Sequence, residues 1–396
     1  MTIKTIGEVC SFERGLTYSK DNEVSTSSLG VLRSNNIDVT SNKLNFDEIK
    51  YLNDEIEIPN TKKVKRNSIL MCISNGSKSH LGKVAIIEND IDFAFGGFMG
   101  LLTPNKQIIF PKYLYYSLTT PCYKLFIKNL SDGANINNLK FNELKEFSIP
   151  VPPIEEQERI VSLLDSAFSK IESLKKNAEN SLENAKSLFQ SALKKELEPK
   201  EGWEIKTIGE VCSIINGGTP STSVVNYWNG NIQWITPKDM SGLTSKHIKK
   251  TERTISQEGV AHSSAKILPP QSVILSSRAP IGYVAINTVP MATNQGCKGI
   301  VTTNEIKSEF LYYFLIKSYD LLNNLGTGAT FKELSGSKLA SISIPVPPIE
   351  EQERIVKKLD SLKEKCDVLE KNLEKTIALC ENLKQALLRQ AFNGEL

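Results

Sequence analysis

Apolar residues recur at alternating spacings of four and three along Ile160, Leu164, Ala167, Ile171, Leu174, Ala178, Ser181, Ala185, Leu188 and Ala192, with Ser181 the one polar member. A second stretch keeps the same register through Ile355, Leu359, Leu362, Cys366, Leu369, Leu373, Thr376, Cys380, Leu383 and Leu387. This spacing lays one stripe along a helix, and when sustained it predicts a coiled-coil seam with Lys and Glu outside it. Each stretch is entered through the same sequence, Pro152-Pro153-Ile154-Glu155-Glu156-Gln157 and Pro347-Pro348-Ile349-Glu350-Glu351-Gln352. Proline suits a helix entry because its φ is fixed and it supplies no amide donor where none is used, and the carboxylates that follow favour the positive end of the helix dipole. A helix over 154–197 would be roughly 66 Å long at ~1.5 Å per residue. A helix of that length needs a partner, and the two stretches supply one another as an antiparallel pair. Further apolar positions at Leu182, Phe189, Ile377 and Leu379 widen the stripe and leave surface for helices of another chain. The candidate partner-binding positions are therefore Ile160, Leu164, Ile171, Leu174, Leu182, Phe189, Ile355, Leu359, Leu369, Leu373, Ile377 and Leu383.

Before each helix the pattern changes to short β-branched runs broken by Gly, Pro, Asn and Ser. Residues 67–74, 82–87, 271–276 and 281–286 read as strands, and 113–118 and 310–317 as short helices beside a sheet. The chain is also written twice. Ile-Lys-Thr-Ile-Gly-Glu-Val-Cys-Ser occupies 3–11 and again 205–213, and the thirteen residues 149–161 recur at 344–356. Identity bunched at the module ends, with divergent middles, implies that the ends share a job and the middles differ. The expected fold class is α+β. Two mixed α/β globules, 1–150 and 201–345, alternate with two long helices, 151–200 and 346–396, in a pseudo-two-fold tandem repeat with the helices paired as an antiparallel coiled coil.

Composition adds constraints. At 40% hydrophobic and 23% charged the chain is globular in character, with length enough for more than one core. No apolar run approaches the roughly 20 residues of a bilayer span. The N-terminal segment has no secretion pattern, so a cytoplasmic protein is expected. The seven cysteines form no CxxC pair and the three histidines are dispersed, so no metal site is expected. Charge is uneven: 18 basic against 16 acidic groups in 1–150 and 13 against 10 in 201–345, but 8 against 9 and 9 against 10 in the helical segments.

Catalytic patterns are not found. The stretch 76–83 resembles a phosphate-binding loop but has five residues between its glycines where four are required, and Val84 stands where Ser or Thr would hold magnesium. Gly326-Thr327-Gly328 lacks the third glycine of a dinucleotide turn. His80, His247 and His262 have no nucleophile–base arrangement around them.

Paired variable globules, each followed by a near-identical helix opening at Pro-Pro-Ile-Glu-Glu-Gln, resemble the specificity (S) subunit of type I restriction-modification enzymes over essentially the whole chain. Also characteristic are Gly217-Gly218-Thr219-Pro220-Ser221, Trp234-Ile235-Thr236-Pro237-Lys238-Asp239 and Ala292-Thr293-Asn294-Gln295-Gly296. The first globule departs from this pattern, with Leu32-Arg33-Ser34-Asn35-Asn36 and Phe95-Gly96-Gly97-Phe98 at the corresponding places. The resemblance implies two target recognition domains, each reading one half of a gapped DNA sequence, and helices that fix the gap. It implies no catalysis and no cofactor in this chain. It further implies two methyltransferase (M) subunits that methylate adenine with S-adenosylmethionine, and restriction (R) subunits that use ATP and magnesium. A structural adaptor whose globules bind proteins is the alternative, and a methylation-only system is a variant of the first reading.

Base edges are read by Arg, Lys, Asn, Gln, Ser or Thr on loops, and phosphates by Lys, Arg and backbone amides. Candidate DNA contacts in the first globule are Arg33, Asn35, Asn36, Asn75, Lys78, Asn135, Asn137 and Lys140. In the second they are Thr236, Lys238, Ser277, Arg278, Asn294, Gln295, Thr330 and Lys332. The basic runs Lys62-Lys63-Lys65-Arg66 and Lys246-Lys249-Lys250-Arg253 are candidates for the DNA backbone, and Trp234 is expected in the core.

Overall fold

The computed structural model describes residues 2–132, 138–328 and 332–396. The chain divides into two compact units. One comprises Met1–Glu179 with Lys375–Leu396, and the other Asn180–Glu374, so the division falls inside both long helices, Ile154–Glu196 and Ile349–Asn393.

In the first unit, Thr2–Thr5 pairs antiparallel with Ser148–Val151. A four-stranded sheet runs in the order Cys10–Arg14, Met99–Pro104, Ile69–Cys72, Val84–Ile86. A second sheet is ordered Glu23–Val24, Lys50–Leu52, Leu29–Leu32, Ala94–Phe95, and its last pair is parallel. Both faces of the first sheet are covered, which explains why Ile69-Leu70-Met71-Cys72 is an unbroken apolar run whose four residues are all fully buried. Successive side chains leave opposite faces. Ile69 and Met71 pack with Tyr113, Leu114, Tyr123 and the helical Ile160, Val161, Leu164, Leu388 and Ala391. Leu70 and Cys72 pack with Leu32 and Phe95 of the second sheet.

The second unit repeats this layering. Glu204–Thr207 pairs with Ser343–Val346. A five-stranded sheet is ordered Cys212–Asn216, Cys297–Thr302, Val273–Ser277, Ile281–Asn287, His247–Ile248. Beside it lie Arg253–Ile255, Trp228–Ile235, Met291–Thr293 and Ile267–Leu268. Val273 and Leu275 face the helix Ser308–Lys317, the helical Leu193, Ile355 and Leu359, and Leu197 just past the helix end. Ile274 faces Ile235, Leu268 and Met291. The strands and short helices read from sequence are thus observed, with bounds shifted by at most two residues.

The repeated module ends meet each other. In each unit the Ile-Lys-Thr strand pairs with the Ile-Pro-Val strand, and Thr5 with Glu8, like Thr207 with Glu210, forms a capping box on the short helix that follows. The Gln of Pro-Pro-Ile-Glu-Glu-Gln is fully buried in both copies. Gln157 Oε1 accepts from the Phe110 amide at 2.8 Å, while its Nε2 donates to the Ile108 carbonyl at 3.1 Å and the Pro152 carbonyl at 2.8 Å. Gln352 repeats the pattern with the Lys307 amide and the Glu305 and Pro347 carbonyls, each at 2.8 Å. One aspartate per copy binds the globule to its helix. Asp165 receives the Tyr116 hydroxyl and Lys112, and Asp360 receives the Tyr313 hydroxyl and Lys246. Burial and these carboxylates hold both tyrosine hydroxyls well above the usual tyrosine range. Six of the seven free thiols are buried, and burial pushes Cys10, Cys212 and Cys297 up to about 12, which fits packing residues.

Within each unit the long-helix segments contact one another. Glu172 meets Lys384 at 3.1 Å and Lys175 meets Glu381, so residue numbers rise along one helix as they fall along the other. In the second unit Glu196 holds Lys358 at 2.7 Å. The predicted stripe is only half used. Members seven apart, Leu164, Ile171, Ala178 and Ala185, are buried, whereas Leu174 and Leu188 are 53% and 55% exposed and Leu369 and Leu383 are 45% and 49% exposed. The line Leu164, Ile171, Ala178 and Ala185 lies on the covered side of the helix, and the other line of the same stripe faces solvent.

This corrects the partner-binding set. Ile160, Leu164, Ile171, Phe189, Ile355 and Leu359 are sealed in this chain's own cores and offer no face to another chain. Leu182, Leu373 and Ile377 are half-buried. The exposed apolar helix positions are Leu163, Leu174, Leu188, Val368, Leu369, Leu379 and Leu383.

Candidate nucleic-acid interface

In each unit the two sheets end in a cluster of loops drawn from distant parts of the chain. In the second unit the Gly218 amide donates to the Thr293 carbonyl at 2.9 Å, Asn294 to Ile235 at 2.9 Å, Ser277 to Gly296 at 2.8 Å and Leu334 to Ser277 at 2.9 Å. Segments around 217–219, 236, 277–278, 294–296 and 333 therefore share one end of the globule. In the first unit the Leu16 amide donates to Phe95 at 2.7 Å, Gly96 to Leu32 at 2.9 Å, Ile73 to Phe98 at 3.0 Å and Leu139 to Ile73 at 2.7 Å. The corresponding segments 14–17, 32–36, 73–75, 96–98 and 138–140 meet in the same way.

Glycine makes this approach feasible. A Cβ on Gly217 would stand 1.8 Å from the Asn294 carbonyl oxygen, and one on Gly15 would stand 2.0 Å from that of Gly96. The characteristic Gly-Gly-Thr-Pro-Ser run is thus explained by close backbone packing.

The cluster gathers many of the sequence-predicted residues. Arg278 lies 3.7 Å from Glu333, which also approaches Lys298 at 3.8 Å, and Lys298 is 6% exposed. Gln295 is exposed and accepts from the Thr219 hydroxyl, while the Asn294 carboxamide oxygen accepts from the Gly296 amide at 3.0 Å. Lys238 is exposed and pairs with Glu252 at 2.7 Å, a carboxylate that holds its ammonium above the usual lysine range. Thr236 caps the short helix Pro237–Met240, its hydroxyl donating to Asp239 at 2.6 Å. In the first unit Asn75 Nδ2 donates to Ser34 Oγ at 2.9 Å, Asn35 Nδ2 to the Glu48 carbonyl at 3.2 Å, and Arg33 is half-buried. Lys140 is exposed beside Glu143, and Lys332 is exposed.

Other predicted residues do not fit. Asn36 is fully buried, accepts from the Arg33 amide at 2.8 Å and donates to the carbonyls of Asn45 and Glu48, so its side chain is spent on building the loop. Ser277 is fully buried, so its hydroxyl reaches no base edge. Lys78 pairs with Asp132 at 3.5 Å and lines a cavity of about 500 Å³ with Lys83, Lys124 and Lys128, outside the hydrogen-bonded loop cluster. Asn135, Asn137 and Thr330 lie outside the described residues. The basic runs are largely spent internally. Lys62 pairs with Glu13, Lys63 with Asp92, Lys246 with Asp360, and the Arg253 guanidinium sits 3.7 Å from the Trp228 ring centre. Trp234 is 4% exposed, as expected.

Sequence reasoning missed Arg14, Ser34, Glu333 and Phe98. Arg14 Nε donates to the Gly97 carbonyl at 3.0 Å. Its signal was position, immediately before the glycine that corresponds to Gly217. Glu333 is an acidic residue beside two cations, Arg278 and Lys298. Among the described residues, three buried polar side-chain atoms have no hydrogen-bond partner: Arg33 Nε, Asn138 Oδ1 and Ser277 Oγ. All three stand in these loop clusters, where unsatisfied polar groups need an explanation.

The family model for the type I restriction modification DNA specificity domain matches this chain at residues 1–184 and again at 200–379. The chain belongs to this family. Two matches to one domain model restate the internal repeat independently. Among the relatives, a type I restriction enzyme specificity subunit (MjaIX) of Methanocaldococcus jannaschii is 40% identical over 196 residues, covering 49% of this chain and 44% of that protein. The EcoR124I/EcoR124II specificity subunit of Escherichia coli is 32% identical over 289 residues, covering 69% and 68%. Of solved structures, the HsdS subunit from Thermoanaerobacter tengcongensis superposes with a TM-score of 0.62 at 22% identity, covering 100% and 97%. A chain from a study of type I R-M complex assembly and conformational transition reaches 0.79 at 22% identity, covering 100% and 98%. At that identity these two structures speak to fold. The chain is a type I specificity subunit with a mixed α/β fold, and among the described residues no helix is long and apolar enough to cross a membrane.

Proposed function

We propose that each globule reads one half of a gapped, bipartite DNA sequence through its loop cluster, and that the long helices pair as an antiparallel coiled coil that sets the gap. The exposed leucines of the helices dock two methyltransferase subunits, which methylate adenine with S-adenosylmethionine. Restriction subunits using ATP and magnesium join for cleavage, and this chain contributes recognition without catalysis, in the cytoplasm. One observation carries the reading: identical frameworks support unlike loops. The buried Gln, the capping box and the paired end strands recur in both units, while Arg33, Asn75 and Phe98 in one cluster give way to Thr236, Arg278 and Gln295 in the other. That is how one scaffold presents two different readers.

The reading is tested by binding to duplex DNA at increasing salt. Several phosphate contacts give a steep linear fall of log K with log salt, because counterions are released. A flat dependence favours the adaptor alternative. Half-site variants sharpen the test. Arg278→Ala or Gln295→Ala is expected to relax one half of the recognised sequence, by about 1–3 kcal/mol per base contact, and to leave the other half untouched. Methylome mapping of each variant checks this, and relaxation in both halves would contradict the two-reader arrangement.

A further inference from the structure

Phe98 is 69% exposed, the most exposed aromatic side chain among the described residues. It does not sit on a loose loop. Its carbonyl oxygen accepts from the amides of both Ile73 and Ser74, at 3.0 and 3.1 Å. The preceding Gly97 carbonyl accepts from Arg14 Nε, and the Met99 that follows is fully buried. A Cβ on Gly97 would fall 2.9 Å from Thr17 Oγ1 and one on Gly96 3.6 Å from Arg33 Cγ, so the turn is closely fitted to the cluster. The phenyl group is therefore presented to solvent by a fixed backbone, beside segments carrying Arg14, Arg33, Ser34 and Asn75. Left bare it forfeits the stabilisation that burying a large apolar side chain provides. The second globule has Gly296 at the corresponding place, preceding the buried Cys297.

Resting on the DNA-reading function proposed above, we infer that Phe98 is a specificity-determining residue that packs against the 5-methyl group of a thymine in the half-site read by the first globule. In the major groove thymine alone among the four bases offers a methyl group, and a phenyl ring is one of the side chains that reads it. The polar groups ringing Phe98 are the donors that read the neighbouring base edges. Since Gly296 carries no side chain, this apolar contact belongs to one half-site only.

The test uses the full chain in complex with its methyltransferase partner. The methylated motif is mapped first; finding no motif for the wild-type complex would overturn the underlying DNA-reading function itself. With the motif known, each thymine in turn is replaced by deoxyuridine, which removes only the methyl group. The wild type is expected to bind about fourfold more weakly for one such position in the half-site of the first globule, the effect of one lost buried methyl. Phe98→Ala is expected to bind the normal duplex more weakly and to be indifferent to that uracil, whereas Phe98→Leu retains part of the discrimination. Thermal unfolding of Phe98→Ala should be unchanged, because the side chain supports no core. A half-site without an A·T pair would overturn the inference while leaving the DNA-reading function intact. So would undiminished thymine–uracil discrimination by Phe98→Ala, or an equal loss on both duplexes, the signature of a wedge between base steps.

Discussion

Replacing Gln352 by leucine is expected to cost the second unit about 2–5 kcal/mol of stability. The side chain is fully buried and satisfies three backbone groups, the Lys307 amide and the Glu305 and Pro347 carbonyls, each at 2.8 Å. Leucine fills much of the same volume but leaves those groups without partners, and each buried orphan costs about 1–3 kcal/mol, less where water can reach it. For a unit of this size that corresponds to a fall in Tm of roughly 5–15 °C. Glu350→Gln, two residues earlier on the exposed side of the same helix entry, is expected to change stability by less than about 0.5 kcal/mol. Gln157→Leu should act on the first unit as Gln352→Leu acts on the second, because the two networks are the same. Differential scanning calorimetry reads both variants. A Gln352→Leu protein that melts within a degree of wild type would show that the repeated glutamine is not a structural anchor.

Lengthening the helices is expected to rewrite the recognised sequence in one specific way. Glu172 faces Lys384 and Lys175 faces Glu381, so seven residues added to one helix alone would put these pairs out of register. A matched heptad, inserted after Glu172 and again before Lys384, keeps both stripes in phase. It adds about 10.5 Å at ~1.5 Å per residue, close to three base pairs at ~3.4 Å each. Under the proposed gap-setting role, the variant methylates the same two half-sites with a gap about three base pairs longer. Methylation at the original spacing would contradict that role. A loss of all methylation with both units still folded would show that partner docking, rather than spacing, depends on this stretch.

Much of this architecture is legible in the sequence because it is written in regular patterns. The repeated 149–161 and 344–356 declare the helix entries, and buried strands such as Ile69–Cys72 announce themselves as apolar runs. The heptad stripe predicts more partner-facing positions than the structure offers, since spacing alone cannot say which of its two lines faces the neighbouring helix. Leu174, Leu188, Leu369 and Leu383 carry the same residue type as buried positions and yet are exposed. The loop clusters were half legible. Asn294 and Gln295 lie in a recognisable run and are found at the tip of the globule, but nothing local distinguishes Asn36, which is consumed by the carbonyls of Asn45 and Glu48, from Asn35, which is exposed beside it. Burial of a polar side chain depends on which distant segment folds over it. Phe98 shows the converse: its neighbour Met99 is fully buried, while the fold places Phe98 exposed at the tip.

The central claim, that the chain directs adenine methylation to a bipartite sequence, is tested most directly by co-expressing it with the methyltransferase encoded beside it in a methylation-free host and mapping modified adenines by single-molecule sequencing. The account predicts one asymmetric motif of two unlike half-sites separated by a fixed gap, methylated only when both proteins are present. A continuous motif, or no motif despite a stable complex of the two proteins, would contradict it.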